Sequence, residues 1–218
     1  RRLRTQGICR IWLPEGASEE ILGMPDRAVR DRLLGLFGGI LDYPGENTLE
    51  QLRLAEECVA ADFPDAVDLL GDFRAVVADM PAERREEVYT AIFDLNATCH
   101  PYVGYQLFGE TYKRSSFLVE CKEQYREFGF VAPEPELPDR LSIMLHFVSE
   151  CGDAEVADDI IEYGFIPALA KMTKTKEPSI KDAVQSEENP YSSVLRALQV
   201  VLGQEPQPEE PIIDHAGD

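Results

Sequence analysis

Apolar residues recur at every third or fourth position along most of this chain, the spacing that puts them on one face of an α-helix. The run DRAVRDRLLGLFGGIL, for example, aligns Val29, Leu33, Leu36, Phe37 and Ile40. Further apolar stripes are Val67, Leu70, Phe73 and Val77; Leu118, Cys121, Tyr125 and Phe128; and Leu141, Met144, Leu145 and Val148. No segment alternates convincingly in the manner of a β-strand. The pattern therefore predicts an all-α protein, a single helical globule with short connections.

Residues that start or stop helices divide this pattern into elements. Helix breaks are expected at Pro44-Gly45, Met80-Pro81, Gly129, Gly152 and Pro167. Thr48 and Gln51 have the spacing of a capping box. Asn189 is expected to cap the last helix, with Pro190 as its first residue and Gly203 after its end.

The same signals predict three parts of the chain. A helical domain is expected over residues 25–203. Residues 1–24, which begin with the basic run RRLR, are expected to form an N-terminal arm. Residues 204–218 are acidic and rich in Pro, and bury little, so a disordered tail is predicted there.

Composition narrows the function classes. The 218 residues are 44% apolar, which suffices for a core, and no run of about 18 apolar residues predicts a membrane span. The net charge of −20 argues against binding nucleic acid and allows a basic protein partner. Acidity of this kind also occurs in salt-adapted organisms. The five scattered cysteines favour free thiols in a reducing cytoplasm.

The search for catalytic or metal chemistry gives little. Cys99 and His100 are adjacent, so their side chains diverge, and no second half-site with zinc-ligand spacing exists. A catalytic Cys and His normally come from separate segments. Gly35, Gly38 and Gly39 lie in an amphipathic helix and not after a strand, so they favour close helix packing over phosphate binding. No catalytic residue, metal or cofactor is expected.

Two segments are unusual for a helical protein. FDLNATCHPYVGYQLFGE and PEPELPDRL combine aromatic, acidic and proline residues where a plain helix needs none of them. Such a combination in loops is typical of a recognition surface for a basic, apolar peptide.

Four blocks, in order, resemble the NarJ branch of the NarJ/TorD/DmsD redox-enzyme maturation chaperones. They are LLGLFGGILDYP, YTAIFDLNATCHPYVGYQLFGET, KEQYREFGF followed by ELPDRLSIMLHFV, and NPYSSVLRAL. Together they span residues 30–203. Where the family favours His after Pro-Asp, this chain has Arg140, which cannot titrate near neutral pH.

The resemblance implies a cytoplasmic, non-enzymatic, all-α chaperone of the TorD/NarJ type. Its expected partner is the cofactor-free catalytic (α) subunit of a molybdenum bis-pterin oxidoreductase, bound through that subunit's N-terminal segment, with nitrate reductase as the default. An alternative is a permanent structural subunit of the mature redox complex. A free enzyme is the remaining class.

The peptide site is expected where the two unusual segments meet. Its candidate residues are Phe93, Tyr102, Tyr105, Glu136, Pro138, Asp139 and Arg140. The aromatic residues would supply apolar contact, Glu136 and Asp139 would supply charge, and Pro138 would fix the shape of the connector. For Asp139 a second interpretation stays open, in which it only caps the helix that begins at Leu141.

Overall fold

The computed structural model describes residues 26–95, 99–174 and 189–204. In these ranges the chain is helical, with a single isolated antiparallel bridge between Tyr102 and Arg140. The all-α prediction is confirmed. The predicted arm, and the predicted tail beyond Gln204, lie outside the described residues. The helices are α1 Arg27–Leu41, α2 Thr48–Val59, α3 Pro64–Val77, α4 Ala82–Thr90, α5 Val103–Phe108, α6 Tyr112–Phe128, α7 Leu141–Glu150, α8 Ala154–Ile160, α9 Ile166–Met172 and α10 Tyr191–Val201.

Helix α7 lies at the centre because its sequence is apolar on nearly every side. Seven of its ten residues are buried, from Leu141 to Val148. Helix α1 packs along it, and this close approach uses glycine: a Cβ on Gly38 would lie 2.9 Å from the His146 ring. The interpretation of these glycines as packing residues is therefore confirmed at Gly38. None of the described helices combines the length and apolar character needed to cross a bilayer.

An aromatic cluster joins α10 and α3 to the end of α4. The ring of Tyr191 lies 4.9 Å from that of Phe73 and 5.0 Å from that of Phe93. Tyr89 lies 4.8 Å from Phe93 and 5.6 Å from Tyr191, measured between ring centroids. Tilted and edge-on pairs of this kind add to the stabilisation from apolar burial.

Three local predictions need correction. Thr48 does not cap α2: it is the first helical residue, and its hydroxyl accepts from the Gly45 N–H at 2.9 Å. Phe128 is exposed, and Phe117 takes the buried place on α6. The last helix begins at Tyr191, one residue later than predicted, although the Asn189 side chain does accept from the Tyr191 N–H.

Two short π-helical turns widen the helical path. One covers Ala91–Leu95 after α4, and the other covers Ile161–Phe165 between α8 and α9. Pro167 lies in the first turn of α9, where its missing N–H does little harm to that helix. The predicted interruption at Pro167 is thus present as a π turn just before it.

Candidate functional site

An antiparallel bridge brings the two unusual segments together. The Val103 N–H donates to the Asp139 carbonyl at 2.8 Å, and the Leu141 N–H donates to the Pro101 carbonyl at 2.8 Å. These are the first amides of α5 and α7, which have no partner within their own helices. Each segment therefore supplies the acceptor that starts the other segment's helix, which fixes their relative position.

Arg140 connects this bridge to the core through hydrogen bonds. Its guanidinium donates to the Glu136 carboxylate on one side and to the Tyr89 hydroxyl on the other. Tyr89 in turn donates to the Leu41 carbonyl at 3.1 Å, so α1 joins the network. Burial raises the pKa of Tyr89 to about 12, so it stays a neutral donor. Burial opposes the Arg140 charge, but Tyr89 and Glu136 outweigh it and raise the pKa of Arg140 above its ordinary value.

Glu136 organises the part of the site that reaches solvent. One carboxylate oxygen accepts from the Tyr102 hydroxyl at 3.1 Å and from the Leu137 N–H at 2.9 Å, and the other accepts from Arg140. The Glu136 side chain remains 29% exposed. Partial burial, followed by the nearby Glu136 charge, raises the pKa of Tyr102. The Tyr102 hydroxyl and the Glu136 carboxylate thus lie at the surface in positions fixed by hydrogen bonds.

Asp139 is completely buried and pairs with Arg114 of α6. The Arg114 Nε lies 3.1 Å from Asp139 Oδ2, and its Nη2 lies 3.5 Å from Oδ1. Burial raises the pKa of Asp139, and the hydrogen bond and charge of Arg114 offset part of that rise. Helix α7 receives no side-chain capping bond, so the interpretation of Asp139 as its cap is wrong.

Arg114 also supports the surface aromatics. Its guanidinium carbon lies 5.4 Å from the centre of the Tyr102 ring and 5.6 Å from that of Tyr105. A cation held against two rings in this way favours their orientation electrostatically. Arg114 is thus a site residue that the sequence did not identify. Its partner Asp139 lies 25 positions away, and no spacing rule connects residues so far apart.

The remaining candidates divide between the core and the surface. Phe93 lies in the aromatic cluster and is 4% exposed. Pro138 is buried, and its carbonyl accepts from the Tyr125 hydroxyl at 2.6 Å. Tyr105 is half-buried, with its ring 4.3 Å from the His100 ring. Among the seven candidates, Tyr102, Tyr105 and Glu136 are the ones with substantial exposure.

Cys99 and His100 have packing roles. Cys99 is buried, and the His100 carbonyl accepts from the Gln106 side chain at 2.9 Å. Within the described ranges, no group of His, Cys, Asp and Glu side chains could hold a metal ion. Cys121 is buried as well, and burial raises the pKa of its thiol, which disfavours the reactive thiolate.

Comparison with known proteins gives a family match over the centre of the chain. The model of a family described as nitrate reductase delta subunit matches residues 56–176. A crystal structure of a putative redox enzyme maturation protein from Archaeoglobus fulgidus has a TM-score of 0.53 and 21% identity. That match covers 88% of this chain and all of the other, and it supports the predicted fold.

Two curated relatives carry the same kind of name. The probable nitrate reductase molybdenum cofactor assembly chaperone NarJ of Bacillus subtilis is 36% identical over 76 residues. The corresponding probable chaperone NarW of Escherichia coli is 23% identical over 138 residues. These matches cover 35% and 63% of this chain. The chain spans 41% and 58% of the length of these two relatives.

Proposed function

This chain belongs to the family described as nitrate reductase delta subunit, and from that membership we propose that it is a client-specific assembly chaperone. Its client is the catalytic subunit of a molybdenum bis-pterin oxidoreductase related to nitrate reductase. It binds this subunit in the cytoplasm before cofactor insertion, keeps it competent to receive the cofactor, and then dissociates. The names of the two curated relatives, both assembly chaperones, support a non-catalytic role of this kind.

The observation that carries the proposal is the paired surface around Tyr102 and Glu136. Two segments distant in sequence are joined by backbone bonds, and their polar groups are held in place from beneath by Arg114 and Arg140. Such a surface is organised before any partner arrives, which lowers the entropic cost of binding. Since nothing in it is arranged as nucleophile, general base or metal ligand, recognition is the function that it fits.

The client's N-terminal segment is the partner that suits this surface. Tyr102 and Tyr105 offer ring faces and a hydroxyl to an apolar segment, and Glu136 offers partial negative charge to a basic residue in it. The net charge of −20 would speed the approach of a basic peptide. Phe93, Pro138, Asp139 and Arg140 act in this proposal by positioning those three residues.

Coexpression tests the proposed function. The catalytic subunit should be recovered with molybdenum and activity when this chain is present, and largely without them when it is omitted. The chaperone should copurify with the cofactor-free subunit and be absent from the active, loaded enzyme. Stoichiometric retention in the active enzyme would instead identify a permanent structural subunit. Equal molybdenum content with and without the chain would contradict both roles.

The binding surface makes a separate prediction. Glu136→Gln should weaken binding of the client's N-terminal peptide, measured by calorimetric titration, by about tenfold, since a hydrogen bond to a charged group contributes about 1.5–3 kcal/mol. Part of this loss should disappear at high salt, which screens the charge. Asp139→Asn should weaken binding and also lower thermal stability, because its carboxylate is buried against Arg114.

Asp68→Asn is the matched control, because Asp68 is an exposed carboxylate on α3. It removes the same unit of charge from the acidic surface and should leave the affinity unchanged. Wild-type affinity in both Glu136→Gln and Asp139→Asn would rule out the proposed surface.

A further inference from the structure

A mainly apolar pocket lies beside α5 and is completed by α6, α7, α8, the π turn Ile161–Phe165 and α9. Its volume is about 350 Å³, within the range of pockets that hold small ligands or side chains. Its apolar lining includes Leu107, Phe108, Phe117, Met144 and Ile166. None of the seven candidate residues lines this pocket, so it is distinct from the surface around Tyr102 and Glu136, which is called the bridge surface below.

The π turn gives this pocket its shape. Pro167 has no N–H to donate to the carbonyl four residues earlier, so a regular α-helical path is interrupted there. The Ile166 N–H instead donates to the Ile161 carbonyl, which is the wider spacing of a π turn. Three consecutive residues of this turn, Glu162, Tyr163 and Gly164, line the pocket. Single π turns within helices frequently occur at functional sites.

Two acidic residues also line the pocket. Asp159 and Glu162 are half-buried, and neither carboxylate forms an ion pair in the part of the chain that the structure describes. Elsewhere in these ranges, partly buried carboxylates such as Asp31 and Glu136 do pair with arginines. An apolar pocket lined by two acids without ion-pair partners complements an apolar side chain that has a basic residue close to it.

We propose that this pocket receives a Leu-, Met- or Phe-sized side chain from a helical segment of the catalytic subunit, whose neighbouring Lys or Arg pairs with Asp159 and Glu162. The inference rests on the proposed function and adds a second contact to the bridge surface. Helix α5 connects the two contacts, since it begins at the bridge and ends with the pocket residues Leu107 and Phe108. Apolar burial supplies affinity, and the acidic pair selects a basic partner.

The test uses a fluorescent amphipathic helical peptide of Leu and Lys as a defined probe of this chemistry. Leu107→Trp, which fills the pocket, should weaken probe binding about tenfold, because one buried apolar side chain contributes about that much affinity. The double variant Asp159→Asn/Glu162→Gln should weaken binding at low salt and approach wild-type affinity at high salt. Thermal melts establish that each variant is folded.

Glu155→Gln is the matched control, because Glu155 is an exposed carboxylate on α8 that does not line the pocket. It should bind the probe as wild type does. Equal affinity of wild type and the double variant, or equal loss in Glu155→Gln, would overturn the proposal. If deleting residues 1–24 tightened probe binding, the chain's own arm would be the occupant. If Leu107→Trp converted a dimer to a monomer, the occupant of the pocket would be a second copy of this chain. Either result also overturns the assignment.

These results separate the pocket from the chaperone function. If Leu107→Trp loses the probe but coexpression shows no effect of the wild-type chain on molybdenum content, the pocket exists and the proposed function fails. If the variant binds the probe normally while the wild-type chain supports molybdenum loading, the function stands and the pocket assignment fails.

Discussion

Gly104→Ala should destabilise the protein by about 1–3 kcal/mol, the usual cost of overpacking a dense interior. A Cβ at this position would lie 2.7 Å from Phe117 Cδ1 and 2.8 Å from Asp139 Oδ2. Neither neighbour can move cheaply, because Phe117 is buried and Asp139 is held by Arg114. Urea unfolding monitored by circular dichroism measures the loss.

Gly71→Ala provides the matched control for this substitution. Gly71 lies in the interior of α3, and a Cβ there would meet nothing within 4 Å. Alanine is favoured over glycine in a helix by about 0.5–1 kcal/mol, so this variant should be slightly stabilised. If the two variants lost the same stability, the close approach of α5 to Asp139 would not be a determinant of the fold.

The helical architecture was accessible from sequence because amphipathic patterning reports burial directly. The stripe of Val67, Leu70, Phe73 and Val77 predicted α3, and its last three members are buried. Predictions made from short local motifs were less reliable. The spacing of Thr48 and Gln51 is that of a capping box, yet the chain enters α2 through a turn in which Thr48 bonds back to Gly45. A short motif cannot specify which of two overlapping local bonds forms.

The location of the candidate site could be predicted in part from the sequence, for a different reason. Composition singled out the two segments that the bridge joins, because prolines, aromatics and acids together are unusual between helices. The internal order of the site depends on tertiary pairs, Arg114 with Asp139 and Arg140 with Tyr89. These residues are separated by 25 and 51 positions, so no periodicity connects them. The pocket beside α5 was missed as well, since its lining residues come from six helical elements of the chain.

The bridge should depend strongly on Arg140, because its guanidinium joins Glu136 to Tyr89 of the core. Arg140→Met keeps an unbranched apolar stem and removes the guanidinium, which leaves Glu136 without its arginine and Tyr89 without its donor. Removing one partner of a fully buried ion pair costs about 3–5 kcal/mol. Because the Glu136 side chain is 29% exposed and water can solvate it, a loss of about 2–3 kcal/mol is expected here.

Two further variants separate the contributions of charge and of geometry. Arg140→Lys restores the charge, but a lysine ammonium is a point donor and cannot reproduce the planar fork that reaches Glu136 and Tyr89 together. Its stability should therefore lie between those of Arg140→Met and wild type. In the double variant Glu136→Gln/Arg140→Met, the losses of the two single variants should not add, because the second change removes a partner that is already lost. Strict additivity in urea unfolding would show that the ion pair between Arg140 and Glu136 does not stabilise the bridge.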